Sequence, residues 1–163
     1  MTAPVMLRVP AVDCSELAGP LCVAIAGSAI SRSTNARHTA VVVLPVDGPH
    51  RMIHLGFHNE LNNDLFDAPY CWVEVVGLDP VVRDTFIDWM LSIWQHNEVG
   101  GIPYGFDLFV EDHFDEDGKY VGVSSGTGLT CATFALSCFA GYGVILSRPC
   151  KSPPARTNAC SAG

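Results

Sequence analysis

Residues 38–57 read HTAVVVLPVDGPHRMIHLGF. This stretch contains two segments rich in β-branched and apolar residues, separated by a turn with Pro and Gly, which is the pattern of a β-hairpin. The two segments are His38–Leu44 and Arg51–Phe57. If His38 pairs directly with His54, the turn becomes Pro45-Val46-Asp47 and the two histidines share one side of the hairpin. We therefore expect an antiparallel sheet with paired histidines.

The rest of the chain supplies further strands and two helices. Short apolar runs predict strands at Leu21–Ala26 and Cys71–Val76, with a polar loop around Asn59 to Asp67 before the second. Asp79 precedes Pro80, the favoured first residue of a helix. An apolar stripe then recurs at helical spacing to about His96, formed by Val82, Phe86, Ile87, Met90 and Trp94. An Asp117-Gly118 turn signal predicts a hairpin at the end of an acidic stretch. Residues Cys131 to Ala140 predict a buried helix that stops at Gly141. The expected class is α+β, an antiparallel sheet packed against this buried helix.

Composition and charge limit the kinds of protein that this chain can be. Of its 163 residues 48% are hydrophobic and 16% are charged, which is too apolar for a disordered chain. No apolar stretch reaches the length of a membrane helix, so stable membrane insertion is not expected. The formal net charge of -8 argues against binding to nucleic acid. We expect one catalytic domain, residues 1–146, and a flexible basic Pro-rich tail, residues 147–163.

The start of the chain lacks a convincing signal peptide, because the apolar run Leu17 to Ile30 begins late and follows two acidic residues. The expected location is therefore the reducing cytoplasm, or outside the cell by a route without a classical signal peptide. Seven cysteines need no disulfide partners there, and no two of them form a CxxC pair.

One cysteine, Cys131, stands apart because it begins the buried helix after a Gly-rich loop. Unpaired N–H groups and the helix dipole favour a thiolate at such a position. The same N–H groups could hold the oxyanion that forms when a thiolate attacks an acyl carbon. The competing interpretation is a core residue, since Cys131 follows the same helical spacing as its apolar neighbours. The other six are interpreted as core or tail residues: Cys14, Cys22, Cys71, Cys138, Cys150 and Cys160.

A nucleophilic cysteine needs a base, and the base needs an orienting partner. His38 heads one predicted strand and His54 lies in the next, so one imidazole could orient the other. Each taken alone could also be an exposed or a core histidine. The remaining histidines are interpreted as structural or solvated: His50, His58, His96 and His113.

The order of these parts resembles the circularly permuted papain-like fold of the lecithin retinol acyltransferase-like and permuted NlpC-type cysteine hydrolases. The matching segments are His38-Thr39-Ala40-Val41-Val42-Val43, Met52-Ile53-His54-Leu55, Gly101-Ile102-Pro103-Tyr104 and Thr130-Cys131-Ala132-Thr133-Phe134. In these families the Tyr of the Gly-x-Pro-Tyr segment lies near the nucleophile and helps to hold the oxyanion, so the resemblance gives Tyr104 that role. Thr130 and Ala132 depart from the residues that many relatives have around the Cys, and the interval from Tyr104 to Cys131 is long.

The resemblance and the residue chemistry together predict a thiol hydrolase, a peptidase or amidase that could also transfer acyl groups. Cys131 would be the nucleophile, His38 the base, His54 its orienting partner and Tyr104 an oxyanion donor, with no cofactor. The expected substrate is a peptide, a protein conjugate or an acyl amide, neutral or basic because the chain is acidic. Two alternatives stay open: a zinc site built from His38, His54, His58 and Cys131, and an inactive binding module of the same fold.

Overall fold

The computed structural model describes residues 6–8, 19–26, 38–66, 70–106, 113–122 and 128–144. These residues form a mixed α and β structure with six strands and two helices. The elements are β1 Met6–Arg8, β2 Leu21–Ala26, β3 His38–Val43, β4 Arg51–Phe57, β5 Glu60–Leu65, β6 Tyr70–Val76, α1 Pro80–Asn97 and α2 Cys131–Gly141. The strands form one sheet in the order β1-β6-β2-β3-β4-β5, and every neighbouring pair is antiparallel. The predicted α+β class is confirmed. The expected domain limit at residue 146 and the tail 147–163 lie outside the described residues.

The β3–β4 hairpin forms as predicted, but its register differs from the expected one. Val41 pairs with Ile53 and Val43 with Arg51, so His38 is not directly opposite His54. The connection runs from Leu44 to His50 instead of closing tightly at Pro45-Val46-Asp47. The difference is two residues along one strand, which leaves every side chain on its predicted face of the sheet.

The prediction of a polar loop around Asn59 to Asp67 is wrong for most of these residues. Residues Glu60–Leu65 form β5, which pairs with β4 at one edge of the sheet. A turn at His58 and Asn59 joins the strands next to a register irregularity between Leu55 and Phe57, and Asn59 has a positive φ of 61°, which Asn tolerates better than most residues. Polar side chains are tolerated in β5 because an edge strand is exposed on several sides.

The sheet has a different apolar cluster on each face. One face, here called the helix face, packs residues of both helices, including Phe86, Met90, Phe134 and Phe139, against strand residues such as Val41, Val43, Ile53, Leu55 and Leu61. The other, here called the second face, contains a smaller cluster: Cys22, Ala24, Ala40, Val42, Met52 and Trp72. Residues alternate between these faces along each strand.

Helix α1 begins as the sequence predicts. The side chain of Asp79 accepts a hydrogen bond from the N–H of Val81 at 2.9 Å, and Pro80 occupies the first turn. Of the predicted apolar stripe, Phe86, Ile87 and Met90 are buried, and Ile93 joins them, whereas the first-turn residue Val82 is 40% exposed.

The predicted Asp117-Gly118 hairpin is also present and is tied to the end of α1. Phe114 and Tyr120 form an antiparallel bridge across its turn. The buried amide of Asn97 donates to the carbonyl oxygen of Gly118 at 2.9 Å and accepts from the N–H of Tyr120 at 2.8 Å. These bonds satisfy the polar groups where helix and hairpin meet.

Among the described residues, neither helix is both long enough and apolar enough to cross a membrane.

Candidate active site

The two predicted histidines lie together. His38 is the first residue of β3 and His54 lies within β4, and their side chains share the second face of the sheet. The Nε2 atom of His38 is 2.7 Å from the Nδ1 atom of His54, which is hydrogen-bond distance. The rings meet edge to face, with an interplanar angle of 83°. The prediction that one imidazole orients the other therefore has the required geometry, despite the shifted register.

A third polar residue, Asp64 on β5, extends this pair. Its Oδ2 atom lies 3.0 Å from Nε2 of His54. The His54 side chain is 10% exposed, whereas that of Asp64 is 60% exposed. The result is a line of three side chains across three neighbouring strands, which we call the imidazole chain: His38, His54 and Asp64.

Sequence reasoning missed Asp64 because its strand was interpreted as a loop. Once β5 is recognised, the geometry follows, because Asn62 pairs with His54 and Asp64 lies two residues further along the same face. The signal that was available is the Asn in the left-handed position before ELNNDL, since Asn is one of the few residues that accept a positive φ.

The environment of His38 keeps its ring neutral. Burial and, second, the positive charge of a protonated His54 lower the pKa of His38 from 6.5 to about 4. Both causes act against the charged form of the ring, as expected for a half-buried base beside another imidazole. At neutral pH, His38 is therefore uncharged and able to accept a proton.

Cys131 is the first residue of α2, as predicted. The helix begins with a capping box in which the Thr130 side chain accepts from the N–H of Thr133 at 3.1 Å, and the Thr133 hydroxyl accepts from the N–H of Thr130 at 2.7 Å. Thr at the residue before the Cys thus has a structural reason, because it fixes where the helix starts. The Cys131 side chain is a reduced thiol, and the residue is 7% exposed.

Tyr104 lies beside Cys131, as the resemblance implies. Burial raises the pKa of Tyr104 most, electrostatic interaction and a side-chain hydrogen bond with Cys131 raise it further, and a hydrogen bond with the backbone of Cys131 lowers it. The phenol is therefore in contact with both the backbone and the thiol of Cys131.

The backbone holds Tyr104 in this place from two sides. Leu129, two residues before the cysteine, forms a parallel bridge with Tyr104, and its N–H donates to the carbonyl of Pro103 at 2.9 Å. On the other side, the N–H of Tyr104 donates to Nδ1 of His58 at 3.2 Å, and the ring of Phe57 stacks on Tyr104 with centroids 6.1 Å apart. The β4–β5 turn and the segment before α2 thus enclose the tyrosine.

The described contacts join the four predicted residues in two groups, His38 with His54 and Tyr104 with Cys131. Helix α2, which begins with Cys131, packs against β3 and β4, the two strands that contain the histidines. Their strand faces differ, however. His54 alternates with Ile53 and Leu55, which lie on the helix face, so its ring lies on the second face.

Two other thiols lie in the apolar clusters, as predicted. Burial, with the nearby charge of Glu74 as a lesser cause, raises the pKa of Cys22 to about 12. Burial also raises the pKa of Cys138 well above its ordinary value. Both residues have no exposed surface, so these thiols stay protonated and unreactive. Cys71 lies in β6, and Cys14, Cys150 and Cys160 fall outside the described residues.

The zinc site considered from the sequence gains no support from the structure. Over the residues that the structure describes, no group of three or more His, Cys, Asp or Glu side chains is arranged to hold a metal ion. Three of the candidate ligands also form hydrogen bonds: Nε2 of His38 with Nδ1 of His54, and Nδ1 of His58 with the N–H of Tyr104. His50 is structural, since its Nε2 contacts the carbonyl oxygen of Gly19 at 3.1 Å.

Comparison with protein-family models, curated proteins and solved structures found no match to this chain.

Proposed function

We propose that this chain is a thiol hydrolase of the circularly permuted papain-like kind, a peptidase or amidase that forms an acyl-thioester on Cys131. The observation that carries the proposal is the contact of Tyr104 with both the backbone and the thiol of Cys131 at the capped start of α2. A thiol at a helix N-terminus with a hydroxyl donor at its side is the arrangement needed to attack a carbonyl and hold the resulting oxyanion. The hydrogen-bonded pair of His38 and His54 supplies a base with an orienting partner.

The reaction proceeds through two tetrahedral intermediates. His38 takes the proton from Sγ of Cys131, and the thiolate attacks the carbonyl carbon of an amide, isopeptide or ester. The backbone N–H of Cys131 and the hydroxyl of Tyr104 donate hydrogen bonds to the oxyanion. His38 then gives its proton to the leaving amine or alcohol as the bond to carbon breaks, which leaves the acyl-thioester. His38 next activates a water or an acceptor amine, whose attack releases the acyl group and restores the thiol.

Each oxyanion donor contributes about 3 kcal/mol to lowering the barrier, by comparison with other acyl-transfer sites. Tyr104→Phe therefore should slow acylation by about a hundredfold while leaving the stacking surface against Phe57 in place. The backbone donor cannot be removed by substitution, so residual activity in this variant is part of the expectation.

The proposed transfer between Cys131 and His38 must take place at the start of β3. His54 lies on the second face, whereas α2 packs on the helix face. His38 is the first residue of its strand, at the end of the sheet, where a side chain can meet a group that approaches past the strand end. His54 therefore acts on the thiol only through His38.

The proposed substrate is a peptide, a protein conjugate or an acyl amide. The net charge of -8 favours encounter with neutral or basic molecules and disfavours polyanions. Phe57 is 68% exposed and stacks on Tyr104, which places an apolar surface next to the proposed oxyanion position. An acyl group with an apolar side chain should therefore react faster than an acidic one.

The test is site-resolved mass spectrometry of separate samples of the protein, one after limited exposure to iodoacetamide near neutral pH and the others after exposure to electrophilic peptide and acyl probes. We expect the adduct on Cys131, with Cys22 and Cys138 slow, because both are buried and their thiols are held protonated. His38→Ala should slow labelling of Cys131. Cys138→Ala, a matched removal of a thiol from the same helix, should leave it unchanged.

Two results would refute the proposal. Cys131→Ala with full activity on a substrate that the probes identify would exclude the cysteine as nucleophile. Labelling of Cys131 as slow as that of Cys138, or independent of His38, would exclude the pair and would favour a binding module without catalysis.

A further inference from the structure

We propose that Asp64 is a positioning residue that fixes the proton positions on both histidines, so that His38 presents a basic nitrogen away from His54. This inference rests on the proposed function for its use in catalysis. The imidazole chain itself rests only on the two hydrogen-bond distances, 2.7 Å between His38 and His54 and 3.0 Å between His54 and Asp64. Sequence reasoning did not find this residue, and the reaction as written above does not use it.

The argument follows from which atoms can donate. An ionised carboxylate only accepts hydrogen bonds, so Nε2 of His54 must carry a proton to bond to Asp64. In a neutral imidazole the other nitrogen is then an acceptor, so Nδ1 of His54 has a lone pair. The Nε2 atom of His38 must therefore donate to it, and Nδ1 of His38 is left with the basic lone pair. One carboxylate thus determines the tautomers of two rings.

Position in the sheet explains why Asp64 can do this without stabilising the fold strongly. It lies on an edge strand with a side chain that is 60% exposed, so its ion pair with His54 is screened by water. Exposure of Asp64 weakens its ion pair more than it weakens its choice of which His54 nitrogen is protonated. The reason is that the His54 ring is largely buried and is held in one orientation. Loss of the carboxylate should change proton positions more than stability.

The imidazole chain also stabilises the positive charge that appears on His38 during the reaction. When His38 accepts the proton from Cys131 it becomes positive, and its Nε2–H already points at a lone pair on His54. Asp64, on the far side of His54, is negative and polarises the His54 ring so that its Nδ1 lone pair interacts more strongly with the positive His38 ring. Without Asp64, His54 could instead turn a protonated Nδ1 toward His38, and Nε2 of His38 would then have to be the acceptor. The basic lone pair would point at His54 and not away from it.

The experiment is long-range ¹H–¹⁵N NMR of the histidine rings in the full-length protein, which distinguishes protonated from unprotonated ring nitrogens. In the wild-type chain at neutral pH we expect a proton on Nε2 and none on Nδ1 in both His38 and His54. In Asp64→Asn the two rings should no longer show this one protonation pattern, because the Asn amide can either accept a hydrogen bond from Nε2 of His54 or donate one to it. Asp64→Glu, which keeps the carboxylate, should restore it at least in part. Asp47→Asn, which removes an exposed charge from the β3–β4 loop, is the matched control and should show the wild-type pattern.

The same variants are then compared in the rate of Cys131 labelling by the acyl probe. Asp64→Asn should be slower by about tenfold to a hundredfold, the usual effect of losing one charge-assisted hydrogen bond. Its urea midpoint should stay near that of the wild-type chain, which separates a positioning role from a structural one.

Several outcomes would overturn the inference. A wild-type spectrum with Nδ1 protonated in either ring excludes the assigned tautomers without any variant. An unchanged spectrum in Asp64→Asn excludes control by the carboxylate. A failure of the proposed function looks different: the ring pattern would still depend on Asp64, but Cys131 would react no faster than a buried thiol in any of these proteins.

Discussion

Acid should destabilise this protein through His38 in particular. Its pKa is about 4 in the folded chain and the ordinary value for a histidine is 6.5, so the unfolded chain binds more protons between these two pH values. Stability therefore rises with pH across this window, and the penalty appears as pH falls from about 6.5 towards 4. Between pH 7.5 and pH 4.5 the full shift corresponds to about 2.5 kcal/mol. Partial solvation of the ring reduces the expected loss to about 1 kcal/mol.

The assay compares wild type with His38→Gln, because a Gln amide can still donate to His54 but does not titrate. Urea unfolding followed by fluorescence gives the free energy of unfolding at both pH values, and Trp89 and Trp94 on α1 and Trp72 in the sheet report on both layers. Subtracting the change in unfolding free energy of one protein from that of the other removes most of the contribution of Asp and Glu titration, because both proteins contain the same acids. We expect wild type to lose about 1 kcal/mol more than His38→Gln on acidification. Equal losses, or a greater loss in the variant, would refute the reasoning about His38.

Three further predictions concern the elements that hold the site. Phe134→Ala should lower the free energy of unfolding by about 3 to 5 kcal/mol, because this ring is fully buried in α2, whereas Leu136→Ala on the exposed side should change it by less than about 0.5 kcal/mol; urea titration measures both. Thr130→Ala removes half of the capping box and should cost about 1 kcal/mol in thermal unfolding, with Ser at this position keeping most of it. Gly101→Ala should destabilise more than Gly100→Ala, since both have positive φ but only the first would place a Cβ 2.3 Å from the backbone of the β4–β5 turn; similar losses would contradict the clash.

The sequence was most informative where periodicity and capping chemistry agree. Helix α1 could be predicted because Asp79 and Pro80 mark its start and the apolar residues recur at helical spacing. Helix α2 could be predicted, with Cys131 as its first residue, because its composition is almost wholly apolar and Gly141 ends it. In both cases local rules and burial require the same structure.

The register of the β3–β4 hairpin shows what the pattern of residues cannot determine. A shift of one residue would move every apolar side chain to the wrong face, so the pattern excludes it. A shift of two leaves each side chain on its own face, and then the connection of residues 44–50 decides the pairing. The two histidines still meet, but diagonally across the strands. This is why their proximity could be predicted although their pairing could not.

Strand β5 and its residue Asp64 could not be predicted for a different reason. Its residues ELNNDL have little apolar pattern, because an edge strand buries few side chains and owes its place to pairing with β4. Of the six, Leu61 is buried while Leu65 is 58% exposed. The functional interest of Asp64 depends on a neighbour ten residues earlier in the chain, which only the paired strands bring near.

The contact between the segments on either side of the acidic hairpin has a consequence for how the chain can vary. Gly128 lies so close to Pro103 that a Cβ on it would be 2.3 Å from the carbonyl oxygen, and the N–H of Gly105 donates to Leu129 at 3.2 Å. The chain therefore leaves the neighbourhood of Tyr104 and returns to the same point before Cys131. Because the ends of this excursion are fastened together, a change of length outside the hairpin at residues 113–122, which contacts both helices, need not displace the thiol from the phenol.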